Sequence, residues 1–201
     1  MKRRTKLTTI QMIAKSFYYT KKVLDQYLKN KFELTDSVVV ADSLVSQNGT
    51  VSSDNKNKVV ITLIHIEQET VQPFYNRNQK LDTGSYEHTS VKERYNLYIL
   101  VTSSFDDYYE TLKFLDASIQ FFQINQLLDA HTNSEIPEGI HKLEFEFQKG
   151  GDYMQMHNLW SALGTKYQPS VIYKMKLLTI GGNEVKEFIS AVDQLTNTAT
   201  Q

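Results

Sequence analysis

Residues 152–173 read DYMQMHNLWSALGTKYQPSVIY, and they contain a short helix, its end and the strand that follows. Asp152 and Gln155 have the spacing of a capping box at a helix start. Four apolar residues then recur at i, i+3, i+4 and i+7, the pattern of a helix with one apolar face: Met156, Leu159, Trp160 and Leu163. Gly164 stands where a left-handed C-terminal cap ends many helices. The stretch therefore predicts a short, one-faced helix.

The residues after this helix predict a half-buried strand. Pro169 lies at its entrance, where the missing backbone N–H of proline is tolerated. Apolar residues then alternate with Lys174 and Lys176, which gives the strand one apolar face: Val171, Tyr173, Met175 and Leu177. Trp160 is the only tryptophan. It is predicted to anchor the helix on the sheet, because a large aromatic on an apolar helix face usually belongs to a core.

The composition favours one domain that binds proteins. With 201 residues and 40% hydrophobic content, the chain is long enough for one core and short for two domains. A formal net charge of -1 gives no global field that would attract nucleic acid or an anionic membrane. The absence of cysteine excludes disulfides, thiol catalysis and thiolate metal sites. No apolar run near the basic start suits a signal peptide or a membrane span, so we expect synthesis and folding in the cytoplasm.

Two longer helices are predicted. The first carries an apolar stripe from Ile10 onward and ends near Asn30. The second follows the capping residues Ser104 to Asp107, and its predicted apolar side consists of Tyr108, Leu112, Leu115, Ile119 and Phe122. Phe114 and Phe121 widen that side. This breadth suits a helix that packs on a sheet and also contacts a second surface, such as another subunit.

Several segments have strand patterns. They lie around residues 37–44, at 58–66 in the predicted middle of the sheet, at 94–101, at 143–147 and at 171–177. The mixed order of helices and strands indicates an α+β fold with a largely antiparallel mixed sheet and helices packed on one face. We assign residues 1–182 to this single domain, and residues 183–201 to a C-terminal amphipathic helix and polar tail.

The segment from Glu67 to Ser90 has no clear periodicity and is longer than most connections in compact domains. Two interpretations remain open. It is either a solvated hairpin excursion or a segment that a partner orders, for which Phe74, Tyr75 and Arg77 are candidate anchors.

No catalytic, cofactor or metal motif is present in the sequence. The five histidines lack metal-ligand spacing, and no phosphate-binding or nucleophile motif occurs. Asp106 and Asp107 are interpreted as first-turn acids that complement a helix dipole, rather than as an acid–base pair. The unusual component is aromatic, with 12 tyrosines and 10 phenylalanines. Adjacent pairs such as Tyr18-Tyr19 and Tyr108-Tyr109 cannot both face one core, and exposed aromatics are typical of protein contact surfaces.

The sequence resembles the cap, or tail-terminator, proteins of extracellular contractile injection systems, phage-tail-like particles of the antifeeding-prophage type. The resemblance extends from about Ile13 to Ile180. Its most specific part is LWSALG at 159–164 with Lys166-Tyr167, Pro169-Ser170 and Tyr173. Its weaker parts are the first helix, the strand 59–66, YNRN at 75–78 and LYILV at 97–101.

The resemblance implies a tail-terminator-like fold and a non-enzymatic protein without cofactors. It implies a homo-oligomeric, six-fold ring that contacts sheath and inner-tube proteins at the particle end opposite the baseplate and stops their growth. The expected partner contacts are Phe74, Tyr75, Asn76, Arg77, Phe114, Phe121 and Phe188, and the structural signature is Trp160, Gly164, Tyr167, Pro169 and Tyr173. A baseplate or tube-initiating adaptor of the same kind of particle is the alternative. An enzyme with an unmarked pocket is a more remote one.

Overall fold

The computed structural model describes residues 12–46, 50, 52–69, 78–80, 86–88, 94–131, 133–149, 153–179 and 188–189. A 3-10 turn lies at Ser53–Asn55. The helices are α1 (Met12–Phe32), α2 (Tyr108–Ile124) and α3 (Tyr153–Leu163). The strands are β1 (Val39–Ala41), β2 (Lys58–Gln68), β3 (Asn78–Lys80), β4 (Tyr86–His88), β5 (Arg94–Ser104), β6 (Leu127–Asp129), β7 (Ile140–Phe147), β8 (Ser170–Thr179) and β9 (Phe188–Ile189).

The main sheet has six strands in the order β1-β2-β5-β8-β7-β6. Only β1 and β2 pair in parallel, and the other neighbours are antiparallel. The predicted α+β class with a largely antiparallel mixed sheet is therefore confirmed. The prediction that β2 lies in the middle is wrong, since β5 and β8 hold the two central positions.

Helices α1 and α2 cover one face of this sheet. Their aromatic side chains interlock, with Tyr27 against Phe121 at 5.4 Å and Phe32 against Phe114 at 4.7 Å between ring centroids. The later residue of α1 contacts the earlier residue of α2, so the two helices run antiparallel. Below them lie inward residues of β2, β5 and β8, which include Ile61, Ile99, Tyr173, Met175 and Leu177.

Helix α3 packs on the opposite face of the sheet. Trp160 is 5% exposed and belongs to a separate apolar cluster with Leu44, Val60 and Leu100. Val60 and Leu100 alternate along their strands with residues of the first core, because successive strand side chains point to opposite faces. The helices therefore occupy both faces, with α1 and α2 on one and α3 on the other, whereas helices on one face were predicted from the sequence.

The buried side of α2 differs from the predicted one. Tyr108 and Leu112 are exposed, whereas Thr111 and Ser118 are buried together with the neighbouring phenylalanines. Each hydroxyl group donates a hydrogen bond to the backbone carbonyl four residues earlier. Thr111 donates to Asp107 at 3.1 Å, and Ser118 donates to Phe114 at 2.7 Å. These bonds satisfy the hydroxyls inside the core, so the helix buries a face that a hydrophobicity pattern does not mark.

A second, three-stranded sheet lies within and after the predicted long connection. Its order is β3-β4-β9, and β3 and β4 form an antiparallel pair with Gln79 opposite Glu87. This pair agrees with the hairpin interpretation of residues 67–90. Phe188 and Ile189 are extended and pair with β4, so the predicted C-terminal helix is wrong at these two residues. The rest of 183–201 lies outside the described residues.

Candidate interaction surfaces

Four of the five predicted signature residues form a corner at the end of α3: Trp160, Gly164, Tyr167 and Pro169. Gly164 has φ +67°, the left-handed conformation predicted for the cap. The chain then turns through Tyr167, whose ring meets Trp160 at 5.6 Å. Pro169 precedes β8, and its carbonyl accepts a hydrogen bond from the backbone N–H of Ser103 at 3.2 Å. The corner thus joins α3 to the end of β5 and the start of β8. The side chain of Tyr167 is exposed.

Tyr173 belongs to the other face of the sheet. Its ring contacts Phe122 at 4.3 Å and Phe147 at 5.5 Å between centroids. Its hydroxyl group is buried and has no hydrogen-bond partner among the described residues. Burial raises the pKa of this hydroxyl to about 12. Tyr173 is therefore a core residue whose polar atom is a cost to the fold.

The first turn of α2 carries the most exposed aromatic group of the described chain. Tyr109 is 72% exposed, and Tyr108 and Leu112 are exposed beside it. The Asp107 carboxylate accepts a hydrogen bond from the backbone N–H of Tyr109 at 3.0 Å, which caps the helix as predicted. We call Tyr108, Tyr109 and Leu112 the α2 tip.

The structure revises the predicted contact residues. Phe114 and Phe121 are 4% and 3% exposed, because α1 lies directly over them. In the single chain they are therefore core residues and not the exposed contacts that were predicted. The exposed aromatic residues of this helix belong to the α2 tip. Phe74, Tyr75, Asn76 and Arg77 lie outside the described residues, and Phe188 is described only through its backbone pairing with Glu87.

An open groove of about 510 Å³ lies beside α1. Its lining residues come from α1 and from the segment between β6 and β7: Ala14, Lys15, Tyr18, Tyr19, Lys22, Glu135 and Pro137. Two contacts join its walls, an ion pair between Lys22 and Glu135 at 3.0 Å and a hydrogen bond from Asn133 Nδ2 to the Tyr19 hydroxyl at 2.8 Å. Burial, and then the charge of Glu135, raises the pKa of Tyr19. We call this feature the α1 groove.

The sheet face that carries α3 also has a charged area. Lys176 lies between two carboxylates of β7, with Glu146 at 3.2 Å and Glu144 at 3.3 Å. The hydrogen bond to Glu146 is the main cause that raises the pKa of Lys176. Between β5 and β2, the Tyr98 hydroxyl donates a hydrogen bond to the Glu67 carboxylate at 3.1 Å. The side chains of the Lys176 pairs are at least one third exposed, so these pairs contribute little to the stability of the fold.

The described residues contain no group of three His, Cys, Asp or Glu that could hold a metal ion. None of the described helices is both long and apolar enough to cross a membrane.

Comparison with known proteins identifies the family. The family described as the Pvc16 N-terminal domain matches residues 20–194, which is most of the chain and includes the Trp160 corner and both central strands. The chain belongs to the Pvc16 N-terminal domain family. The match supports the sequence resemblance to cap and terminator proteins. A search of curated proteins found no significant sequence match to this chain.

Two solved structures share the fold of this Pvc16-family chain. One is described as the sheath/tube terminator of an extracellular contractile injection system, PVC, in the extended state, with a TM-score of 0.59 and 16% identity over 96% of the chain. The other is described as the anti-feeding prophage cap, a tube terminating cap, with a TM-score of 0.55 and 14% identity over 89% of the chain. The chain spans 64% and 58% of the lengths of these two proteins.

The sequence indicated the pairs Tyr18-Tyr19 and Tyr108-Tyr109 as candidate contact aromatics, but it did not predict the α1 groove or the α2 tip as sites. The adjacent Tyr108 and Tyr109 indicated that one aromatic must leave the core, but their exposure depends on which side of α2 is buried. The groove depends on the segment before β7, where no regular pattern occurs. Strand β6 was not predicted either, because three residues are too few to show an alternating pattern.

Proposed function

We propose that this chain is a structural cap of a contractile injection system, which ends the inner tube and sheath at the particle end distal to the baseplate. The observation that carries the proposal is the family match over residues 20–194, together with a fold shared by two proteins described as terminators or caps. Both descriptions name the tube as the terminated structure, and one also names the sheath. We transfer these partners to this chain as part of the proposal.

We propose a closed ring of identical subunits as the working form. A terminator must present the rotational symmetry of the tube on one side, and six copies would match a six-fold tube. A head-to-tail interface whose rotation closes gives such a ring, whereas one that does not close gives a filament. The exposed aromatic residues of the helical layer, Tyr18 and the α2 tip, support this proposal because aromatics are enriched in protein interfaces.

The proposed role needs no catalysis. The buried residues of the central strands are apolar or hydroxyl-bearing apart from Asn96. The described ion pairs are solvent-exposed, including the Lys22–Glu135 pair in the wall of the open α1 groove. Convergent titratable groups in a pocket are what an active site requires. We therefore propose a protein that acts through its surfaces, assembles in the cytoplasm and then remains part of the particle.

The connection from Glu67 to Ser90 is proposed as a contact with the tube or sheath. It carries Phe74, Tyr75, Asn76 and Arg77, and the β3–β4 pair within it forms a sheet separate from the six-stranded one. A projection with its own small sheet can reach a neighbouring protein while the domain core keeps its packing.

Gene deletion tests the proposed function against the adaptor alternative. Without a terminator, tubes and sheaths should still start on the baseplate but grow to irregular lengths and lack an end ring. Without a tube-initiating adaptor, baseplates should carry no tube. Electron micrographs of particles from the deletion strain distinguish these outcomes, and particles of normal length with an end ring would contradict both.

A further inference from the structure

We infer that the α2 tip of one subunit docks into the α1 groove of the next copy, and that this contact forms the ring. The inference rests on the proposed function for the existence of a ring, and it assigns the two surfaces that hold the ring together. Both surfaces are exposed in the single chain, since Tyr109 is 72% and Tyr18 67% exposed.

The tip has the form of an aromatic projection. Tyr108 and Tyr109 occupy the first two positions of α2, and Leu112 lies one turn later, next to Tyr108 on the helix surface. The Asp107 cap fixes the start of the helix. The projection is therefore held on a rigid element, which lowers the entropy that docking would remove.

The groove suits such a projection in size and chemistry. Its volume of about 510 Å³ lies within the range of pockets that take ligand-sized groups, roughly 300–1,000 Å³. Ala14, Pro137 and the ring of Tyr18 offer apolar contact, and Lys15 lies at its side. The Met12 side chain packs on Gly139, so the start of α1 contacts the segment that forms the other wall.

The two surfaces lie at opposite ends of the helical layer. Phe32 at the end of α1 contacts Phe114 near the start of α2, whereas Tyr18 lies 14 residues earlier on α1. At 1.5 Å per residue, this places Tyr18 on the order of 20 Å from the α2 tip along the same chain. Different surfaces at opposite ends can join copies head to tail, which is the arrangement that a ring requires.

Charge also matches between the two surfaces. Asp107 precedes the tip and has no cationic partner within 4.0 Å among the described side chains, and Lys15 beside the groove likewise has no acidic one. Docking would bring the carboxylate and the ammonium group to the same interface. Opposite charges across an interface favour one register of docking over others.

Site-specific photo-cross-linking in assembled particles tests this contact. Benzoylphenylalanine in place of Tyr109 keeps an aromatic side chain, and particles are assembled from a mixture of ¹⁴N and ¹⁵N chains so that links between copies can be recognised by mass spectrometry. We expect links to residues 12–22 or 133–139 of a different copy. The same amino acid at Glu146, on the charged sheet face, is the matched control and should not link to that groove.

A disulfide provides the second test, because the chain has no cysteine of its own. Tyr109→Cys combined with Tyr18→Cys or with Ala14→Cys cannot close within one chain, since about 20 Å far exceeds the reach of a disulfide. Oxidation of the particles should give a covalent ladder up to six chains in at least one double variant, and none in the single variants.

Three results would overturn the inference. One is a six-copy tip ring that shows neither the photo-cross-link nor the ladder, which would leave the proposed function standing. A second is linkage of a Tyr18 probe to residues 1–11 of its own chain, which would mean that the chain's N-terminal segment occupies the groove. The third is the absence of any ring of this chain, which would remove the proposed function as well.

Discussion

The indole ring of Trp160 and the phenol ring of Tyr167 contact each other edge-on, with centroids 5.6 Å apart and planes inclined by 63°. The side chain of Trp160 is buried between α3 and the sheet, while Tyr167 is exposed in the turn that follows α3. The contact therefore joins the apolar cluster under α3 to the chain that enters β8. The residues that carry the most specific part of the sequence resemblance, 159–167, therefore also hold α3 on the sheet.

The first prediction concerns this pair. Trp160→Ala should lower the free energy of unfolding by about 3–5 kcal/mol, because it removes a large buried aromatic side chain and leaves a cavity. Tyr167→Ala, as the matched control, should cost about 0.5–1.5 kcal/mol, the usual value of an aromatic pair. Urea unfolding measures both. A Trp160→Ala protein as stable as the wild type would show that Trp160 does not anchor α3.

Tyr173→Phe should stabilise the protein by about 1 kcal/mol at neutral pH, because it removes a buried hydroxyl that has no partner among the described residues. The effect should grow at high pH. Since burial raises the pKa of Tyr173 from 10.0 to about 12, the unfolded chain ionises first, and stability present below pH 10 is lost as the pH rises toward 12.

The loss attributable to Tyr173 amounts to at most about 2.7 kcal/mol, at 1.36 kcal/mol per pKa unit. Unfolding free energies of wild type and Tyr173→Phe, measured from pH 8 to 11, should therefore diverge above pH 10, with the variant more stable. Parallel pH curves would contradict the assigned pKa.

Core and surface aromatics of α2 should respond differently to truncation. Phe114→Ala should cost about 3–5 kcal/mol, because Phe114 is packed between Phe32 and Phe105. Tyr109→Ala should change stability by less than about 0.5 kcal/mol, since the side chain is exposed. In particles, however, Tyr109→Ala should reduce the amount of this chain at the tip. A stable Phe114→Ala protein would argue against the packing of α1 on α2.

The connection between β2 and β5 should be dispensable for folding and required for capping. Replacing residues 70–92 by a short Gly/Ser linker removes Phe74, Tyr75 and Arg77 but leaves the six-stranded sheet. The melting temperature should change little, while particles should have irregular lengths or lack an end ring. Arg77→Ala provides the single-residue version. Normal particles from the shortened protein would show that this segment makes no essential contact.

Elements with strong periodicity could be predicted from the sequence. The alternation of Val171, Tyr173, Met175 and Leu177 with lysines gave β8, and the capped apolar pattern around Trp160 gave α3. In both, local propensity and tertiary burial favour the same structure. Gly164 follows the same logic, because its positive φ is a local requirement of the helix end.

Features that depend on long-range packing could not be predicted. The buried side of α2 was wrong because Thr111 and Ser118 satisfy their hydroxyls within the helix and can enter the core. Phe188 and Ile189 have a helical pattern, yet their pairing with β4 makes them extended. The face on which α3 packs follows from which strand residues remain uncovered by α1 and α2, and a pattern within α3 does not contain that information.

Imaging of assembled particles tests the central claim most directly. A subtomogram or single-particle reconstruction of the end distal to the baseplate should show a ring of six copies of this chain on the last layer of the tube, with a tagged chain located at that end. A tip density with a different number of copies, or this chain at the baseplate and absent from the tip, would contradict the assignment as a cap.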